Sequence, residues 1–202
     1  MQQTRIDQGL PYYEKFAKVY PTVAHLAAAG EQEVLKLWQG LGYYSRARNL
    51  HQAAKMIMEL HGGSFPSTYS SIRSLKGVGD YTAAAIASIS FGLSHPVADG
   101  NVLRFLARLY GITDPTDQPE TKRHILDLAN ENIDHRHPGD FNQAMMEFGA
   151  RVCTPANPDC CHCIFMTCCL AKARGLVGSI PARTVKTPVR KRFIHYLVVT
   201  FR

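Results

Sequence analysis

Apolar residues recur at three- and four-residue spacing in Glu33–Trp38, Ala47–Leu60 and Val102–Tyr110. That is the period of one helix face. None of these stretches contains proline or glycine. Those residues fall between them, at Pro11, Gly62, Gly63, Pro66, Gly77, Gly79, Pro96, Pro115 and Pro138, and mark breaks. Strand-like alternation is scarce. The pattern predicts an all-α domain of short helices and tight turns over residues 1–152.

The character then changes. Six cysteines crowd into residues 153–174. Residues 175–192 hold two prolines, two glycines, five basic residues and no acid, the composition of a basic linker. Residues 193–202, with the run FIHYLVVTF, are β-rich. A lone strand is not stable by itself, so this run is expected to open a further domain. No internal repeat is visible.

Composition narrows the class. The chain has 202 residues, 46% of them apolar, which suits a globular protein with a real core. Its net charge of +7 favours polyanionic partners, nucleic acid foremost. No apolar run approaches the roughly 20 residues of a membrane span, and the start carries no signal-peptide core. The expected setting is a reducing cytoplasm.

In a reducing compartment a tight cysteine cluster reads as a metal site rather than as disulfides. Cys153, Cys160, Cys163 and Cys169 are spaced C-x6-C-x2-C-x5-C. Cysteine suits zinc and iron–sulfur clusters alike. Structural zinc more often uses two paired knuckles, and this spacing has one, so iron–sulfur stands ahead of zinc. Cys161 and Cys168 leave other pairings open, as does the reading that the cysteines bind no metal.

Upstream, LKGVGDYT places Gly77, Val78 and Gly79 in a tight turn before a small-residue helix. Exposed amides and a helix N-terminus favour a phosphate there. An ordinary helix–helix turn is the blander alternative. Asp99 follows in VADGNV, two residues before Asn101. Both are good helix N-caps, so capping competes with chemistry at this turn.

Taken together these motifs resemble the endonuclease III/MutY glycosylases, of the helix-hairpin-helix glycosylase superfamily. The resemblance implies a hairpin over about residues 70–90 that grips DNA backbone without reading sequence. It implies a [4Fe–4S] cluster on the four cysteines. It also makes Asp99 the carboxylate that stabilises an oxocarbenium-like sugar, with Tyr81 and Asn101 beside it. Endonuclease III has a Schiff-base lysine where this chain has Tyr81, which points to a monofunctional hydrolase. The enclosed cysteine loop carries no Lys or Arg, so phosphate contacts from it are not expected.

Three more stretches resemble the adenine-removing branch: Gln2–Thr4, GLGYYSRARN at 40–49 and FNQAMMEFGA at 141–150. By that resemblance Gln3 and Tyr43 probe the stack around 8-oxoguanine, with Leu41 beside them and Thr4 among the DNA-binding residues, and Gln143 helps hold the extruded adenine. Core packing for the tyrosine and a plain exposed position for the glutamine are the alternatives. The implied partner is double-stranded DNA with adenine opposite 8-oxoguanine or guanine, bound by a monomeric bacterial enzyme. The branch's proton-donor glutamate would lie before Met1, and its Nudix-like 8-oxoguanine domain would begin near Phe193. The chain as written is therefore expected to be a poor enzyme truncated at both ends. A non-catalytic damage-binding module, an endonuclease III-like lyase and a zinc protein are the competing readings.

Overall fold

A computed structural model describes residues 6–184, in which all regular structure is helical. The linker beyond 184, the expected strand at 193–202, and Gln3 and Thr4 lie outside the described residues. The helices are α1 (Ile6–Val19), α2 (Val23–Ala28), α3 (Glu31–Trp38), α4 (Ser45–His61), α5 (Tyr69–Ser74), α6 (Asp80–Phe91), α7 (Gly100–Leu109), α8 (Pro119–Asn132), α9 (Pro138–Arg151) and α10 (Leu170–Ala173).

Local chemistry sets the boundaries. The Thr22 and Thr68 hydroxyls cap α2 and α5, and Glu33 reaches back to the Gly30 amide at 3.2 Å to cap α3. Pro119 and Pro138 occupy the first turns of α8 and α9, where no amide is needed. Gly62 and Gly92 end α4 and α6 in left-handed backbone. Pro11 departs from its expected role as a break, since it lies inside α1. Phe16 and Tyr20 at the far end of this segment pack against the next helices, which carries the helix past the missing amide.

Two regions of core share the chain. Leu26, Val34, Ala47 and Ala54 close α2, α3 and α4 on one another. Val102, Phe105, Leu106 and Ala107 of α7 pack with Ile125 and Ala129 of α8, Ala171 of α10 and Ile180. Between the regions lies the α5–α6 hairpin, with Ile72, Ala83 and Ala87 buried. Helix α9 bridges α6 and α7, and its glycines allow the approach. A Cβ on Gly139 would meet the Ser88 carbonyl at 3.1 Å, and one on Gly149 would meet the Asn101 carbonyl at 2.6 Å.

Candidate functional site

The hairpin needs glycine at one of its two positions. Gly77 has φ +79°, and a Cβ there would strike the Asn49 side chain on α4 at 2.5 Å. Gly79 is extended, in open space, and caps α6. The Val78 amide turns inward to the Leu75 carbonyl at 3.1 Å. The amides of the first turn of α6 have no carbonyl within the helix to reach and can serve a ligand. Arg73 clamps the hairpin, donating to the Val78 carbonyl at 2.9 Å and to Asp80 at 2.5 Å. That hydrogen bond from Arg73 holds the Asp80 carboxyl below the usual carboxylate range.

Asp99 caps α7. One carboxylate oxygen accepts from the Asn101 and Val102 amides at 2.8 and 2.9 Å, and the other accepts from the Asn101 side chain at 3.0 Å. The capping alternative is thus correct as geometry, and it fixes where the charge sits. The half-buried Tyr81, two residues past Gly79, donates its hydroxyl to the Met146 sulfur at 3.3 Å. Burial, and then the nearby Asp99 charge, push the Tyr81 hydroxyl above its ordinary pKa, so it remains a protonated donor at neutral pH. Tyr81 also walls a cleft of about 470 Å³ with Ala84, Pro96 and Ala98, the residue before Asp99. Hairpin, carboxylate and phenol therefore share one corner of the fold.

Two residues with no distinct sequence signal build that corner. Asn142 is buried and brackets the segment leading to Asp99. It accepts from the Val97 amide at 2.9 Å and donates to the His95 carbonyl and the Ser88 hydroxyl, both at 2.9 Å. Arg104, also buried, donates to the Asn101 side chain at 3.0 Å, the Gly149 carbonyl at 2.6 Å and the Cys153 carbonyl at 2.8 Å. It joins the aspartate turn to the start of the cysteine loop. An arginine at i+3 from Asn101, on the side of α7 that also carries Arg108, reads in sequence as an ordinary solvated charge.

Gln143 is exposed, one turn before Met146 on α9. Leu41 is half-buried and Tyr43 is 67% exposed, so Tyr43 is not a core aromatic. The turn before α4 is built on left-handed backbone: Gly40 at φ +102°, Gly42 at +70° and Tyr43 itself at +47°. Trp38 donates its indole N–H to the Gly42 carbonyl at 3.0 Å. The Arg46 guanidinium lies 5.5 Å from the Tyr43 ring and 5.6 Å from the Trp38 ring.

Cys153, Cys160, Cys163 and Cys169 line one cavity with Phe105, Phe148 and Phe165. Cys161 and Cys168 are exposed and are not part of that wall. Burial pushes the Cys160 thiol up, the nearby Lys172 charge pulls it down, and Cys153, Cys163 and Cys169 push it up further. Among the described residues no three His, Cys, Asp or Glu side chains converge closely enough to hold a metal ion. Arg108, buried on α7, holds the loop in place. It donates to the carbonyls of Thr154, Pro155 and Ile180 at 2.7, 3.1 and 2.8 Å, and to the Cys153 sulfur at 3.5 Å.

Helices around a glycine hairpin, with an aspartate-capped helix joined to it through α9, define the class to which comparison also points. Over residues 1–131 the chain matches the HhH-GPD superfamily base excision DNA repair proteins, and it belongs to that family. It is 45% identical to an adenine DNA glycosylase of Rattus norvegicus over 90% of its own length and 36% of the rat protein. It is 32% identical to that of Buchnera aphidicola from Acyrthosiphon pisum over 98% of its length and 57% of that protein. The chain thus spans about a third to just over half the length of these relatives. A thermostable thymine-DNA glycosylase superposes with a TM-score of 0.77 at 26% identity, covering 85% of this chain and 79% of that one. A non-covalent endonuclease III–DNA complex superposes at 0.67 and 22% identity, covering 82% and 76%, and shares the fold.

Proposed function

We propose that this chain supplies the DNA-gripping and sugar-stabilising core of an adenine DNA glycosylase acting on adenine opposite 8-oxoguanine or guanine. The observation that carries this is the cleft walled by Asp80, Tyr81 and Ala98, which sets the hairpin beside the turn that fixes Asp99. Departure of a base leaves positive charge on the sugar, and a fixed carboxylate lowers the energy of that state. The base must first leave the stack. The first turn of α6 would take a backbone phosphate, Tyr43 would probe the stack, and exposed Gln143 would meet the extruded adenine. Tyr81 has no amine with which to form an imine, which favours hydrolysis over strand cleavage.

The four cavity-lining cysteines would hold a [4Fe–4S] cluster. A single zinc needs its sulfurs about 2.3 Å from one point. A cluster spreads four thiolates around a larger body. Four cysteines around one cavity, with a single C-x2-C pair among them, fit the cluster better than zinc. Such a cluster would tie the loop to the fold, and the base chemistry would stay with Asp99.

The test uses binding rather than turnover. Duplexes carry, opposite 8-oxoguanine, either a cationic pyrrolidine abasic analogue or a neutral tetrahydrofuran one. The chain should bind the cationic duplex more tightly, and Asp99→Asn should remove that preference. One charge pair at this partly buried site is worth on the order of 1–3 kcal/mol, about 5- to 150-fold in affinity. Equal binding of the two duplexes by the unmodified chain would refute the sugar-stabilising role and leave a damage-binding module.

A further inference from the structure

We infer that Arg46 is the positioning residue for Tyr43, holding the exposed tyrosine ready to enter a DNA stack. The inference rests on the reading of Tyr43 as a probe of the base stack.

Tyr43 is the residue of this turn that most needs holding. It is not glycine, yet its φ is +47°, a region that L side chains rarely adopt. Its ring is 67% exposed, so the protein core does not grip it. An unsupported tyrosine there would relax its backbone or sweep its ring through many orientations. Entry into a stacked duplex would then have to order it first.

The structure supplies the support from one side. Gly42, at φ +70°, turns the chain so that its carbonyl accepts from the Trp38 indole at 3.0 Å. Gly40 permits the same bend, because a Cβ there would run into the Tyr12 hydroxyl. With the turn fixed, the Arg46 guanidinium, three residues on, lies 5.5 Å from the Tyr43 ring and 5.6 Å from the Trp38 ring. A planar cation within reach of two aromatic rings is a favourable arrangement. Trp38 is in turn set against Phe16, edge to face with ring centres 6.0 Å apart. The order of support runs from the α1–α3 core through Trp38 and Arg46 to Tyr43.

A bland alternative is that Arg46 simply meets a phosphate. The two roles separate experimentally. A phosphate contact weakens all duplexes alike and lowers the salt dependence of binding by about one ion. A positioning role leaves the salt slope alone and lowers discrimination between duplexes. The experiment compares affinities of the full chain for a duplex with adenine opposite 8-oxoguanine and for the same duplex fully matched, across a salt series. Arg46→Met, Tyr43→Ala and the double variant are measured together, with Arg46→Lys as the conservative control. Thermal midpoints and emission of Trp38, the sole tryptophan, check that the turn stays folded.

Arg46→Met should lower the affinity ratio by about two- to five-fold, the worth of an exposed cation–π contact. Arg46→Lys should recover part of it, and the double variant should be no worse than Tyr43→Ala alone. Additive losses, or a uniform loss with a reduced salt slope, would overturn the positioning role while leaving Tyr43 as the probe. No change in the ratio for Tyr43→Ala would overturn the probe reading, and the positioning role with it.

Discussion

At the scale of single residues, the cap at Asp99 has a geometry that suits the sugar-stabilising role proposed for it. Its carboxylate takes three hydrogen bonds from the turn it caps, which fixes its position before any ligand arrives. The two roles part under mutation because asparagine caps helices about as well as aspartate. Asp99→Asn should therefore keep the thermal midpoint near that of the parent while abolishing the preference for a cationic sugar analogue. Asp99→Ala should lose both, with about 1 kcal/mol of stability gone with the cap. Urea unfolding of the two variants checks this, and equal destabilisation would show that the charge itself holds the turn. Sequence pointed to Asp99 and Tyr81 through motif spacing. Arg104 and Asn142 escaped because their partners are carbonyls and amides some 45 residues away, and backbone groups carry no residue-specific signature.

At the scale of elements, the long periodic helices α3, α4 and α7 were legible, each to within two residues at either end. The short helices α2, α5 and α10 were not, since six residues or fewer cannot display a period. Helix α6 is rich in Ala and Ser and packs both on α5 and on α9, so its pattern has little amphipathic contrast. What sequence could not foresee is how α9 seats. Gly149 lets α9 come down on the Asn101 carbonyl, at the turn that holds Asp99. Gly149→Ala would put a methyl 2.6 Å from that carbonyl and 2.8 Å from the Asn101 Cβ. Backbone on one side and a helix on the other leave little room to yield. A loss of about 1–3 kcal/mol is expected, typical of overpacking, together with weaker selection for the cationic analogue as the Asp99 turn moves. Parent-like values for both would mean that α9 shifts freely. Loosening of the hairpin clamp belongs to this scale too. The Asp80 carboxyl is held below its usual pKa by Arg73, so the clamp is present above the ordinary carboxylate range and lost as pH falls through the lowered value. The stability gap between the parent and Arg73→Gln should accordingly persist from neutral pH down through the ordinary carboxylate range and close only below it, as read by urea unfolding across pH; a gap that closes above that range would show that Asp80 does not hold the clamp.

At the scale of the whole molecule, α7 is the keel. Its N-terminus presents Asp99, and Arg104 and Arg108, one turn apart, run from that site to the cysteine loop. Both arginines occupy what reads as the polar side of an amphipathic helix, yet both are buried, because a loop rich in carbonyls folds over them. The sequence alone did not reveal this: a charge on a helix is usually solvated, and only the fold brings the loop back. Two substitutions separate the contributions to that covering. Arg108→Met should strand the buried Ile180 carbonyl and free the part-buried Thr154 and Pro155 carbonyls to water, destabilising the chain by about 1–3 kcal/mol. Cys160→Ser should act differently, removing one wall of the thiol-lined cavity. If that cavity holds iron and sulfide, the variant should purify with less iron per chain, weaker visible absorption and a lower thermal midpoint. Cys161→Ser, whose thiol is exposed and outside that wall, should match the parent in all three. Equal iron loss from both serine variants would mean that the wrong four cysteines had been assigned. Full iron in Cys160→Ser with a parent-like midpoint would mean that the loop stands on Arg108 and its carbonyls without help from a metal.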